Sequence, residues 1–455
     1  MTVNRLKLGL LGWLALAFGL VFPGQVRALE NYPAALSLAE ALQITKEQNP
    51  GIKAARAACD ISRQHIVQTR AGLLPQLNLN EYFQRSNNPP LVFSNKLSQG
   101  RFGSDDFAID RLNHPEALNN FSTSLNLSWP LYDRGQSWHG LKQAKLGYQA
   151  AEQTLAQNEE QALAQTTRAY FGVLLAGKGV NVVQAALTTA RANLKLVASR
   201  YRNGMVVKSD ALQAQVHVAD LEQQHLTAAS NLQAAQAALH NALGITNTQP
   251  FTLTDELLPG DQIAGTIDDW LARAQAQRPD LKGLRLRETI AAEEIAKARA
   301  AYLPAVNLVG SYQIDSEDFS ESADSCTVGA VVSLNLFSGL ATSARAKEAA
   351  AALRQIAALR LQAENQTALE IRQAYLAAAS AWQRIEVARQ ALKQSAEALR
   401  IVSKRYAGGL LTIVELLGAE NARQQTLMMH FQAIHDYLVA GNALKLAAGD
   451  LTTSP

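Results

Sequence analysis

Apolar and small residues recur with a seven-residue period in two long stretches of the chain. In each stretch, a second apolar or small position follows three residues after the first, and the two stretches are shifted by 205 residues. Such an a/d pattern, sustained over about five heptads, predicts a coiled-coil helix in each stretch. The positions are Thr166, Val173, Val180, Leu187, Leu194 and Tyr201 with Ala169, Ala176, Val183, Ala190 and Val197, and Ile371, Ala378, Ile385, Leu392, Leu399 and Tyr406 with Ala374, Ala381, Ala388, Ser395 and Val402.

Both heptad stretches end in a turn with the same order of residues. Segments 200–212 and 405–417 share Arg, Tyr, Gly, an acid and Leu at matching places, and a second helical pattern leaves each turn. Glycine adopts positive φ readily, which suits the tip of a helical hairpin. Two hairpins in one chain predict an internal-repeat protein. The predicted tip residues are Arg200, Tyr201, Gly204 and Asp210, and Arg405, Tyr406, Gly408, Gly409 and Glu415.

The first heptad helix is expected to run from about Trp138 to Arg202. At about 1.5 Å per residue it would be about 100 Å long. A compact globular domain does not need a helix of this length. The alternative is one helix of an ordinary bundle.

The hydrophobic period changes from helical to alternating after Leu74-Pro75 and Leu303-Pro304. The alternating segments predict four strands, near Leu77–Phe83, Phe121–Trp129, Val306–Tyr312 and Val328–Leu336. Segments of about ten residues with one apolar face are typical of outer-membrane barrel strands. Half-buried strands of soluble proteins have the same pattern. The pattern alone leaves both readings open, and export together with the long helices favours the membrane.

Polar loops separate the strands of each predicted pair. The first loop spans residues 84–120 and the second, acidic loop spans 315–324. Long polar loops suit the outer rim of a barrel. The opposite strand ends lead into helices through turns predicted at Pro75, Pro130, Pro304 and Gly339.

The N-terminus has the features of an export signal. Arg5 and Lys7 precede an apolar run from Leu8 to Val21, and Val26-Arg27-Ala28 fits a cleavage site, so we predict a cleaved signal peptide. An uncleaved anchor helix is the alternative. No Cys lies near this site, so no lipid anchor is expected. The predicted divisions are 1–28 signal peptide, 29–243 first repeat, 244–265 linker, 266–449 second repeat and 450–455 tail.

Composition offers no catalytic or metal chemistry. The net charge of +3, with mixed signs, gives no case for nucleic-acid binding. The eight histidines are scattered without metal-site spacing, and neither a phosphate loop nor a nucleophile elbow occurs. We therefore expect no enzyme activity, no cofactor and no metal. Cys59 and Cys326 occupy unlike places, so a disulfide bridge and two free thiols both remain open.

The order helix, Pro, strand, loop, strand, long helix, Arg-Tyr-x-x-Gly tip and return helix, present twice, resembles the TolC-type outer membrane efflux proteins. The resemblance extends from about Leu36 to Gly449, and the turns at 129–133 and 335–339 also support it. It implies a homotrimer in which each chain gives four strands to a twelve-stranded β-barrel in outer membrane lipid, and gives its helices to a long α-helical coiled-coil periplasmic tunnel. The implied partners are a periplasmic adaptor protein and an inner-membrane transporter of the RND, ABC or MFS type. Four strands cannot close a membrane barrel alone, which agrees with a shared barrel.

The resemblance also implies a gate at the hairpin tips. Asp210, Glu415 and Tyr406 correspond to constriction or gate residues of the family, Tyr201 is the matching tyrosine of the first tip, and the glycine loops are the expected adaptor contact. Leu411 and Gly418 depart from the family, because a basic gate residue and a second acid often stand there. Position 411 therefore offers no basic side chain for a closing ion pair. The alternative is that both acids only stabilise the first turns of helices.

The sequence thus predicts a passive outer-membrane exit duct for a tripartite efflux pump or a type I secretion system. One alternative is a periplasmic coiled-coil structural or adaptor protein without a membrane barrel. Another is a general diffusion porin, which the long helices disfavour. The sequence does not identify the cargo.

Overall fold

The computed structural model describes residues 35–246 and 250–451, so the predicted signal peptide lies outside the described residues. The strands are β1 (Ala35–Leu36), β2 (Gln76–Ser86), β3 (Leu118–Tyr132), β4 (Thr252–Leu253), β5 (Ala305–Ser316) and β6 (Ser322–Ser333). The helices are α1 (Leu38–Gln48), α2 (Pro50–Ala71), α3 (Pro89–Ser98), α4 (Ile109–Asn113), α5 (Gln136–Arg202), α6 (Lys208–Leu243), α7 (Ile267–Gln277), α8 (Pro279–Ala300), α9 (Ala341–Ala407) and α10 (Ile413–Ala448), with a 3₁₀ turn at Ser104–Phe107.

Two long helical hairpins dominate the molecule. α5 and α9 have 67 residues each, and α6 and α10 have 36 each. At about 1.5 Å per residue the long helices extend about 100 Å. Every predicted seam position is buried or half-buried except Tyr201, so the heptad pattern identified the packed faces correctly. α5 contains an apolar window that could cross a membrane by length and composition alone, and along its length this helix packs against α2, α6, α8 and α10.

α6 ends against the start of α2, and α10 ends against the start of α8. Each pair of helices therefore forms one column. Gly244 directly follows α6, and a Cβ added to it would lie 2.5 Å from the Cδ of Pro50. Gly449 directly follows α10, and a Cβ added to it would lie 2.9 Å from the Cα of Arg278. Both glycines have φ above 70°. Asn49 donates from its side chain to the carbonyl of Ala242 at 2.9 Å, and Arg278 donates to the carbonyl of Ala447 at 3.1 Å. The residue before each helix-starting proline therefore caps the helix that ends against it.

The segment that joins the two halves packs against the long helices. β4 pairs with β1 in a short parallel sheet, and Leu257 is buried in a cluster with Ile385 and Tyr437. Tyr170 of α5 fastens this region because its hydroxyl group contacts both the Leu36 carbonyl and the Asp255 carboxylate, at 3.0 and 2.7 Å.

The other four strands form one antiparallel sheet in the order β2-β3-β5-β6. Within the described residues of one chain this sheet is open, with β2 and β6 at its edges. β5 and β6 are longer than expected at their joined ends, so the predicted 315–324 loop is only residues 317–321. Leu334 and Leu336, which we placed on β6, lie beyond its end. Cys326 is exposed on β6 and Cys59 is buried on α2, and both are free thiols.

The predicted 84–120 loop contains more structure than expected. Pro89 and Pro90 occupy the first turn of α3, where a missing N–H is tolerated. The rings of Phe93, Phe102 and Phe107 pack in sequence at 4.7 and 5.1 Å, which holds α3 against the following 3₁₀ turn. The polar composition of this segment gave no indication that its three aromatic rings pack together.

The helix-to-strand turns differ from the prediction at one proline. Pro75 and Pro304 directly precede β2 and β5, as expected. Pro130 instead lies inside β3, where pairing with β2 has already ended at Ser128 and pairing with β5 becomes irregular. A missing N–H loses no ladder bond on the unpaired side, so the strand continues. The turn itself comes later, and Gly339 lies in the matching second turn with φ of 59°.

Candidate gate at the helical hairpin tips

The two hairpin tips have the same backbone geometry. In the first tip, Gly204 has φ of 70° and the N–H of Met205 donates to the carbonyl of Arg200 at 2.8 Å. The second tip repeats this bond, with Leu410 donating to Arg405 at 2.9 Å. This six-residue closure with a left-handed residue is a Schellman turn. It reverses the chain sharply and satisfies carbonyl groups at the helix end.

The second tip has one glycine that its backbone requires and one that it does not. Gly409 has φ of 75°, whereas Gly408 has φ of −78°, which any residue adopts. Both lie at the exposed end of the hairpin, as does Arg405. The predicted adaptor-contact residues are therefore at an accessible end of the molecule.

The two tip tyrosines differ in their environment. Tyr406 is only 7% exposed, whereas Tyr201 is 42% exposed. The Arg200 guanidinium lies 5.2 Å from the centre of the Tyr406 ring and donates to the Ala407 carbonyl at 3.4 Å. Burial raises the pKa of Tyr406, and the nearby Arg200 opposes that shift. The cluster around the ring joins both hairpins and consists of Val197, Ala214, Ile413 and Leu416.

The hydroxyl group of Tyr406 has no hydrogen-bond partner among the described residues. A buried hydroxyl without a partner costs free energy relative to one in water. The ring therefore stabilises the tip by packing, while its hydroxyl group does not.

The two predicted gate acids occupy the third position of the return helices. Glu415 forms a capping box with Thr412, in which its carboxylate accepts from the Thr412 N–H at 2.8 Å and from the Thr412 hydroxyl at 3.0 Å. Asp210 is half-buried at the same place in α6, but the cap position there is Val207, which cannot make the reciprocal bond. Glu415 is exposed. One carboxylate thus has a structural partner already, and neither is enclosed.

Leu411 and Gly418, the two positions that depart from the family, differ in their burial. Leu411 packs, half-buried, against the cluster around Tyr406. Gly418 is exposed, and a Cβ added to it would meet no described atom within 4 Å. Apolar packing at position 411 therefore contributes to the contact between hairpins in place of an ion pair.

A second polar link joins the hairpins above the tips. Asn193 of α5 donates to the Glu420 carboxylate of α10 at 2.6 Å, and the other oxygen lies 3.9 Å from His217 of α6. Burial raises the pKa of Glu420, while Asn193 opposes this, and burial lowers the pKa of His217. Gln424 and Gln224 add a hydrogen bond of 2.9 Å. Sequence reasoning missed this link, because a polar residue near a seam gives no sign of its partner.

The structure offers no metal centre in the part of the chain that it describes. No group of three or more His, Cys, Asp or Glu side chains there is arranged to hold an ion. The candidate gate therefore depends on apolar packing, on polar contacts between the hairpins and on the charges of the tip residues.

Comparison with known proteins decides the family. The outer membrane efflux protein family matches residues 41–245 and 270–450, which is most of the chain. The chain belongs to the outer membrane efflux protein family. Its members are outer membrane channel proteins and not enzymes, so this protein is an exit duct of the efflux and type I secretion kind, located in the outer membrane and acting with partner proteins.

Relatives in this family match over nearly their whole length. The chain is 25% identical to the alkaline protease secretion protein AprF of Pseudomonas aeruginosa, over 99% of this chain and 90% of that protein. It is 23% identical to the outer membrane protein TolC of Vibrio cholerae, over 91% of each. The Campylobacter jejuni CmeC outer membrane channel superposes with a TM-score of 0.78 at 17% identity, covering 91% of this chain and 85% of that one, and shares its mainly helical fold.

Proposed function

We propose that three copies of this outer membrane efflux protein close their sheets into one twelve-stranded barrel and their helices into one tunnel. The observation that carries this proposal is that the sheet of one chain is open and exposes apolar side chains. Its edges β2 and β6 have free hydrogen-bonding groups, and apolar residues such as Leu79 and Val328 are 68% and 72% exposed. In lipid, unpaired strand edges are prohibitive and exposed apolar side chains are favourable. Pairing β6 of one copy with β2 of the next removes the edges.

The internal correspondence between the long helices supports the same assembly below the sheet. Ala164, Phe171 and Val182 of α5 lie at its contact with α10: Ala164 accepts a hydrogen bond from Asn442, and Val182 is buried. Their counterparts 205 residues later on α9 are exposed, namely Leu369, Leu376 and Val387. An apolar stripe that is covered in one half and bare in the other needs a cover from another molecule.

α6 offers the complementary surface. On α10, Leu417 and Phe431 are packed in apolar clusters. The matching residues of α6, Leu212 and Leu226, are exposed. We infer that α9 of one copy packs on α6 of the next, repeating between chains the contact that α5 makes with α10 within one chain. A closed ring follows if the rotation repeats, because such head-to-tail contacts generate rings.

Gating is proposed at the lower end of this tunnel. The tips meet there through the Tyr406 cluster, the Arg200 contact and the Asn193–Glu420 hydrogen bond. Opening separates the hairpins and breaks these contacts. Three Glu415 carboxylates, together with Asp210, would favour cations at the entrance, since rings of like charge bias ion passage. The exposed tip loops would bind the periplasmic adaptor.

The cargo proposal follows from the relatives. Two of them are named as protease secretion proteins, AprF and PrtF, and AprF matches 99% of this chain. We propose type I secretion of a protein through an ABC-type transporter and its adaptor. Efflux of small molecules with an RND or MFS partner is the second candidate, supported by the similarity to the efflux protein BepC over 95% of this chain.

The alternative of a soluble coiled-coil protein requires the strands to be covered by protein. Leu77, Tyr82 and Phe83 of β2 are exposed, as are most residues of β6. The two edge strands therefore lack the protein cover that this alternative needs, whereas the central strands β3 and β5 are mostly half-buried.

Mass measurement and channel recording together test the proposed function. Detergent-extracted protein should have the mass of a trimer, migrate differently on gels before and after heating, and produce ion conductance in planar bilayers. Protein that stays monomeric and water-soluble without detergent would contradict the proposal. Deletion strains then separate the cargo classes by loss of a secreted protein or loss of drug tolerance.

A further inference from the structure

A cavity of about 670 Å³ lies where α5 and α9 flank the junction of α10 and α8. Its polar lining includes Glu160 of α5, Arg278 and Asp280 at the start of α8, and Glu370 of α9. Among the described residues that line it, none belongs to α1 or α7. We call this space the Glu160 cavity.

Glu160 lacks the partner that a buried carboxylate needs. It is 4% exposed, and the influences on its carboxylate are burial and the surrounding charges, with no hydrogen bond among them. The Arg278 guanidinium lies nearer to other groups, at 2.7 Å from both Asp280 and Glu370. A buried carboxylate without a donor is costly. A ligand with a positive charge and N–H donors would relieve that cost.

Charge and shape narrow the chemical class of this ligand. Three carboxylates and one guanidinium line the cavity, which leaves two negative charges in excess when Glu160 is ionised. Ala374, Ala377 and Ala443 form an apolar wall, and the volume suits an organic molecule with methylene groups. Small-molecule sites commonly combine apolar walls with a few converging polar groups.

We propose that the Glu160 cavity binds organic dications such as alkyl diamines. In the trimeric duct, three such cavities form a ring on the tunnel wall, and this location rests on the proposed function. The duct would thereby bind organic cations at a site far from the hairpin tips.

The pH dependence of binding follows from the environment of Glu160. Burial raises the pKa of Glu160 to about 7, and Arg278 opposes the shift. A bound dication stabilises the ionised carboxylate, so binding below this pKa must release a proton. The affinity therefore rises as the pH increases through about 7. The charged groups that face Glu160 are Arg278, Asp280 and Lys282 of α8, Glu370 of α9, and Asp450 beyond α10.

Calorimetric titration of the purified, detergent-solubilised protein with cadaverine tests the site. Glu160→Gln should weaken binding at least tenfold and abolish its pH dependence. Glu159→Gln is the matched control, because Glu159 is the next residue and pairs with Arg56 at 3.3 Å. The control should bind as the unmodified protein does. The rise in affinity with pH in the unmodified protein tests the same claim without any substitution.

The possible outcomes test separately whether the Glu160 cavity binds cadaverine and whether it lies on the tunnel wall. Absence of cadaverine binding, or equal affinity with and without the Glu160 carboxylate, overturns the proposal. So does a Glu160→Gln protein whose trimer stability alone has changed, since a neighbouring chain would then be the partner of Glu160. If cadaverine binds as expected but never blocks current through the channel in bilayers, the site stands and its place on a tunnel wall is wrong.

Discussion

Separate substitutions at Thr412 and Glu415 distinguish the two roles of the Glu415 carboxylate. The capping box holds it at 2.8 Å from the Thr412 N–H and 3.0 Å from the Thr412 hydroxyl. Glutamine can replace glutamate in a capping box, so Glu415→Gln removes the charge and keeps the start of α10. Thr412→Ala removes the cap and keeps the charge. The pair thus isolates helix stability from tip electrostatics.

The expected magnitudes differ clearly. Loss of an N-cap side chain costs about 1 kcal/mol. Thr412→Ala should therefore speed amide hydrogen exchange in the first turn of α10 by about fivefold, with no change in ion selectivity. Glu415→Gln should change exchange little but reduce the cation preference, measured as the reversal potential in a salt gradient. Recording near 0.1 M salt keeps the screening length at about 10 Å.

Two results would refute this reasoning. An unchanged reversal potential in Glu415→Gln would mean that the carboxylate only caps α10. A loss of cation preference in Thr412→Ala would mean that the effect of the acid depends on tip structure and not on its charge.

Three further substitutions have definite expected results. Tyr406→Phe removes an unpaired buried hydroxyl group, so thermal denaturation should show unchanged or higher stability, and a loss above about 1 kcal/mol would reveal a missing partner. Val207→Thr should give the first tip a capping box with Asp210 and stabilise α6 by about 0.5–1 kcal/mol, seen as slower amide exchange there, and faster exchange would contradict it. Arg278→Ala leaves two carboxylates without their partner and should cost about 3 kcal/mol on denaturation, whereas a neutral effect would show that water replaces the guanidinium.

The features that the sequence predicted well are periodic or repeated. The heptads located the buried faces of α5 and α9, because a coiled-coil seam must recur every seven residues. The tip turns were predictable since only glycine tolerates positive φ without strain, and Gly204 and Gly409 both have it. The four strands were found from alternation, although their ends were misplaced by several residues.

The features that the sequence did not reveal depend on contacts between distant segments. The Asn193–Glu420 hydrogen bond joins residues 227 positions apart. The difference between Tyr406 and Tyr201 arises because only Tyr406 is enclosed by the other hairpin, although both follow the same pattern. The prediction of a turn at Pro130 is wrong, because this proline is tolerated in β3 only where pairing with β2 has ended. Local pattern does not encode any of these.

Cross-linking between chains tests the central claim most directly. The hydrogen bond between Asn193 and Glu420 lies within one chain, and its counterparts on α9 and α6 are Ala398 and Gln215, both exposed. In a background without the two native cysteines, Ala398→Cys with Gln215→Cys should be joined by a short bismaleimide into covalent trimers on denaturing gels. Asn193→Cys with Glu420→Cys should be joined within single chains and run as a monomer. Monomers only from the first pair, or a ladder that continues beyond three chains, would contradict a closed ring of three.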